Sequence, residues 1–143
     1  MKYLHNISRS LPVIAGAAIG ANATKTGKSI YRAGYGGIEF LASYGAVTTT
    51  GTIATLVMFE GDVTGTMTSV ADADMLGTEA LASLLATTPR TSGVSQNVTK
   101  RVGYKGDKRY VRVDAVQTGV TSVGHISVQA LLHTPVFAPT PNP

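Results

Sequence analysis

Polar and apolar residues alternate with a period of two through much of this chain, as they do in strands with one buried face. Between Gly37 and Tyr44, Ile38, Phe40, Ala42 and Tyr44 fall on one side and Glu39, Leu41 and Ser43 on the other. From Lys108 onward Val111, Val113 and Ala115 oppose Tyr110, Arg112 and Asp114. The last alternating run sets Ile126, Val128, Ala130 and Leu132 inward against His125, Ser127, Gln129 and His133. Thr52 to Phe59 is apolar on both faces, which predicts a central strand that is covered on each side or buried against a partner subunit. Glu60 to Gly65 closes a hairpin on Met67–Val70, Asp72–Gly77 can cap a single helical turn, and Pro89–Gln96 is loop.

The helical period is nearly absent. Thr78 to Ala86 is the one candidate helix, with Thr78 as N-cap, Glu79 in the first turn and Leu81, Leu84 and Leu85 as a stripe. Six to eight short strands with turn signals between them predict an all-β fold, an antiparallel β-sandwich or jelly-roll-like barrel with one short helix. Residues 31–134 make up this body. Residues 1–30 are expected to be an extended N-terminal arm, because Pro12, Gly16 and Gly20 dilute the apolar run Leu11–Ile19. The same opening has the outline of a secretory signal, with Lys2 and Arg9 before the apolar run and Ala21-Asn22-Ala23 after it. Residues 135–143 are a Pro-rich tail that cannot pair inside a sheet. Two extended ends suggest an assembly in which arms clasp neighbours, so removing the first twenty residues should leave a folded core.

Val98 to Val116 carries the densest chemistry. Two β-branched runs flank a Gly-rich basic turn, which predicts a hairpin: Gly103 and Gly106 take up positive φ while Tyr104 and Lys105 point away from the sheet. Half of the chain's 12 Lys and Arg lie here, namely Lys100, Arg101, Lys105, Lys108, Arg109 and Arg112, in a protein of net charge +4. With charged residues at only 14% of the chain, this cluster stands out. The candidate partner-binding residues are Arg9, Arg32, Arg101, Tyr104, Lys105, Lys108 and Arg109. Contact with an acidic protein surface is the expectation, Arg and Tyr serving as planar anchors. For nucleic acid, Tyr104 and Tyr110 could stack, but an RNP-type aromatic pattern and a recognition helix are both missing.

Catalysis finds little support. His5, His125 and His133 are scattered, and the last two are about 27 Å apart at a strand's rise per residue, too far to share a metal. Thr24-Lys-Thr-Gly-Lys-Ser29 echoes a phosphate loop, but Asn22 stands where that loop needs glycine and no helix follows. The chain has no cysteine, hence neither disulfides nor thiolate metal sites. Neither a metal nor a cofactor is implied.

Three segments carry a family resemblance. Val70-Ala-Asp-Ala-Asp-Met-Leu-Gly-Thr78, then Val102-Gly-Tyr-Lys-Gly-Asp-Lys-Arg-Tyr-Val-Arg-Val113, then a Thr-Gly turn and a strand ending in His133-Thr-Pro135 resemble the head decoration, or cement, proteins of tailed bacteriophages. The likeness extends over roughly Thr24–Pro139. Phe59-Glu-Gly-Asp-Val-Thr-Gly65 departs from it where relatives have a more acidic turn. The resemblance implies a non-enzymatic virion protein on the outer capsid surface that cements neighbouring major capsid protein subunits. It would act as a homo-oligomer, a trimer at three-fold positions ahead of a dimer across two-folds, without membrane contact. The alternative is a secreted or surface β-sandwich that binds a carbohydrate or protein partner.

Overall fold

A computed structural model describes residues 3–19, 22–46, 53–85, 97–118 and 124–137. Eleven strands are found among them: β1 (Ser8–Ile19), β2 (Thr24–Lys25), β3 (Ile30–Tyr31), β4 (Tyr35–Tyr44), β5 (Ile53–Val63), β6 (Thr66–Ser69), β7 (Met75–Leu76), β8 (Leu84–Leu85), β9 (Val98–Tyr104), β10 (Tyr110–Thr118) and β11 (Gly124–Pro135). One sheet has the order β1-β11-β4-β9-β7. The other runs β2-β10-β5-β6, with β3 on the free edge of β10 and β8 on that of β5. All pairings are antiparallel, and the two sheets face one another as an open sandwich rather than a closed barrel.

The alternating runs face as their sequence predicts. Ile38, Phe40, Ala42 and Tyr44 of β4 meet Leu56 and Met58 of β5 and Val111, Val113 and Ala115 of β10 in one core, each no more than 2% exposed. Ile126, Val128, Ala130 and Leu132 of β11 complete it. On the outer face of β5, Val57 and Phe59 are half-buried, and Arg112 lies 5.0 Å above the Phe59 ring.

Four expectations are corrected. First, Val98 to Val116 is no hairpin. β9 pairs with β4 and β7 while β10 pairs with β5, β2 and β3, so the basic run crosses from one sheet to the other. Each strand is paired along its length by another partner, β9 by β4 and β10 by β5, and in opposite layers Val102 and Tyr104 share one core with Val111, Val113 and Ala115. Second, the N-terminal segment is a strand rather than a free arm over Ser8–Ile19. β1 pairs along β11 from Ser8 opposite His133 to Ile19 opposite Gly124, burying Val13 and Ile14 at 6% exposure. Register shifts at Pro12/Ile14 and Ile14/Ala17 break the period of two, which is why the alternation is invisible in the sequence. Pro12 is tolerated because β1 is an edge. Third, the helix is one turn, Glu79–Ala82, capped by Thr78 Oγ1 accepting the Leu81 N–H at 3.1 Å, and Leu81 is exposed. Fourth, Pro135 still pairs with Tyr35 of β4, so the tail that leaves the sheet begins after it. Asp72–Asp74 is the single helical turn expected, of 3-10 type. The Pro89–Gln96 loop and the last six residues of the tail lie outside the described residues.

The short helix fills a gap. β8 pairs with β5 at Ile53 and Ala54, β6 at Phe59 and Glu60, and between them the N–H groups of Leu56 and Met58 need partners. Ser83 Oγ accepts the first at 2.8 Å and the Glu79 carboxylate accepts the second. Tyr44 Oη donates to the Ala82 carbonyl at 2.7 Å, tying the turn to the facing sheet.

Candidate interface at the sheet-to-sheet corner

The corner is built on Tyr104, the last residue of β9. Its position opposite Ile38 aims the ring between the sheets, where it is fully buried. The hydroxyl donates to the Glu60 carboxylate of β5, bridging the two layers, and accepts the Lys108 N–H at 3.1 Å. Burial, reinforced by Glu60, pushes the phenol pKa above its ordinary value, so Tyr104 stays a neutral donor. A residue expected to point away from the sheet is therefore a core pillar, because inner-face placement follows from the β9 register.

The loop 105–109 folds over that pillar. A Cβ on Gly106 would lie 2.4 Å from the Tyr104 hydroxyl, so glycine is required here for close approach and not for positive φ. Gly103, likewise expected at positive φ, is a strand residue whose absent Cβ leaves room for the Glu39 carboxylate. Arg32 reaches in from the turn after β3. Its Nε donates to the Lys108 carbonyl at 2.7 Å, its Nη2 donates to the Gly106 carbonyl, and its guanidinium lies 5.3 Å above the Tyr104 ring. The Lys105 N–H donates to the Asp74 carbonyl at 2.9 Å, and the Arg32 N–H to the Arg109 carbonyl at 3.0 Å. The loop backbone is thus held on three sides.

Lys108 Nζ pairs with Asp62 at 3.1 Å. The hydrogen bond from Lys108 holds the Asp62 carboxyl below the ordinary aspartate value, and the same bond raises Lys108. Lys105 and Arg109 are exposed and make no ion pair among the described residues. Between the Arg32–Tyr35 turn and Asp107–Arg109 lies an open cleft of about 240 Å³.

Of the seven residues singled out in the sequence, five meet here: Arg32, Tyr104, Lys105, Lys108 and Arg109. Arg9 is level with Tyr104 but three strands away, about 14 Å at sheet spacing. Arg101 faces outward on β9, 3.7 Å from Glu39 and away from the corner. Glu60 and Asp62 figure in the sequence only as part of a hairpin turn and not as site residues; the signal that marks them is two carboxylates close together in a chain with 8 acids. The phosphate-loop echo also finds its place. Gly27 N–H donates to the buried Asp114 carboxylate at 2.9 Å, and Lys28 N–H to the Val13 carbonyl, so this segment stitches β10 to β1.

No family model, no curated protein and no solved structure matches the chain.

Proposed function

We propose that the protein is a non-enzymatic structural component of a tailed-phage virion, binding the outer surface of the head and cementing neighbouring major capsid protein subunits. The observation that carries this reading is the locked corner. Arg32, Tyr104 and Gly106 fix the loop from which Lys105 and Arg109 project, so little backbone entropy is lost when those cations meet a partner. The polar groups around Tyr104 are spent on one another, as suits a presenting surface more than a reacting one.

The run Val102–Val113 that resembles decoration proteins coincides with this corner. Gly103, Tyr104, Gly106 and Arg112 are accounted for by the fold itself, since Arg112 pairs with the buried Asp114 at 2.9 Å. The side chains of Lys105 and Arg109 are exposed and make no ion pair among the described residues, which leaves them for contact. A homo-oligomer, with a trimer at three-fold positions ahead of a dimer, is what the resemblance implies.

The test is direct. Heads assembled without the protein are mixed with it and pelleted through a cushion. Co-sedimentation at a fixed ratio to the major capsid protein, with a raised melting temperature of the heads, is the expected result. Protein that stays in the supernatant at every ratio ends the proposal.

A further inference from the structure

Exposed apolar side chains gather at one end of the sandwich. Val136 is 71% and Phe137 86% exposed, while Tyr3 and Leu4 are 69% and 60% exposed. Ser8 pairs with His133, so the residues before β1 and those after β11 leave the sheet at the same end. The Val136 N–H donates to the Gly34 carbonyl at 2.8 Å, which sets the tail beside the cleft lined by Gly34, Arg32 and Arg109. Tyr31, 53% exposed and 5.2 Å from the Tyr110 ring, flanks the same turn. An apolar patch rimmed by charge marks a docking surface.

The charges say what docks. Three carboxylates share the corner: Glu60 takes the Tyr104 hydroxyl, Asp62 pairs with Lys108, and Asp107 is exposed. Against them stand Arg32, Lys105, Lys108 and Arg109. Lys105 and Arg109 outnumber Asp107 among the exposed charges of this loop, so a second copy docked on this end through a two-fold axis would bring together two surfaces of the same net sign. A different, acidic surface has the complementary sign.

We infer that this end docks on an acidic protein surface, Phe137 entering an apolar recess and Lys105 and Arg109 pairing with carboxylates on its rim. The inference rests on the proposed function, in which that surface belongs to the head shell. Arginines that become desolvated are among the residues that dominate binding energy at protein interfaces, and a buried Phe adds apolar area.

Three forms of the full chain are titrated onto undecorated heads beside the unmodified protein: Val136→Ser with Phe137→Ser, Lys105→Glu with Arg109→Glu, and Thr118→Glu on the opposite end. All substituted positions are exposed, and thermal melts confirm folding; Phe137→Ala alone replaces the tail pair if that pair melts early. The first two are expected to bind roughly tenfold or more weakly, a loss typical of anchor residues, with Thr118→Glu unchanged. The charge-reversed form should also lose most of its salt dependence. If the unmodified protein binds and both forms match it, docking through this end is overturned while attachment to heads stands. Failure of the unmodified protein to bind overturns both. If the tail form instead dissociates an oligomer of the free protein and leaves head affinity intact, the occupant is a second copy and the inference falls.

Discussion

Tyr104 shows how one side chain can be both pillar and pivot. Tyr104→Phe keeps the ring but removes the hydroxyl that serves Glu60 and the Lys108 N–H. Fully buried partners left unmatched cost about 1–3 kcal/mol; the bonds to Glu60 and the Lys108 N–H are half-buried, so the loss lies towards the lower end and the urea midpoint should fall with an unchanged slope. Gly27 is more demanding, because a Cβ there would lie 2.1 Å from the Val113 carbonyl oxygen. Gly27→Ala must push the segment off β10 and break its bond to Asp114. Its thermal midpoint is expected below that of Tyr104→Phe. The Asp62–Lys108 pair behaves differently, since both side chains are well exposed, at 58% and 41%. A lowered aspartate pKa adds stability above the unfolded value, ~3.9, and loses it as pH falls through the folded value. A raised lysine pKa adds stability below its unfolded value, ~10.4, and loses it as pH rises through the folded one. Solvent screening keeps both effects small. Lys108→Met should return the Asp62 carboxyl titration, followed by NMR, towards the ordinary value with little change in melting temperature.

At the scale of elements, β1 and the Thr78–Leu85 segment carry the revised expectations. A free arm could be cut away without harm, but β1 covers the edge of β11 and places Val13 and Ile14 in the core. Removing residues 1–19 is therefore expected to abolish the cooperative melt, followed by circular dichroism, and to leave β11 open to edge pairing and aggregation. A truncated chain that melts cooperatively near the intact one would restore the arm. The short helix matters less for its own turn than for Glu79, whose carboxylate takes a strand N–H that neither β6 nor β8 reaches. Glu79→Ala should destabilise by about 1–3 kcal/mol, the usual cost of an orphaned buried donor, whereas Leu81→Ser, at an exposed position, should not.

At the scale of the whole molecule, the corner, the tail and the turn after β3 converge although they lie far apart in sequence. What the sequence determined by itself was local. Period-two alternation fixed which residues of β4, β10 and β11 face inward, because a strand's side chains must alternate whatever its neighbours are. The same logic made an all-β body legible, along with the Thr78 cap and the importance of the basic run. Only the tertiary structure decided which strands pair. A hairpin and a sheet-to-sheet crossing share one alternation pattern, so β9 and β10 gave no local sign that each pairs along its length with a different strand. Bulges hid β1 by resetting its period, and the long-range contacts that bury Tyr104 and enlist Glu60 leave no trace in either segment alone. Pairing is a contest among all strands for the same backbone partners, and its outcome is settled by core volume and ladder completion over the full chain.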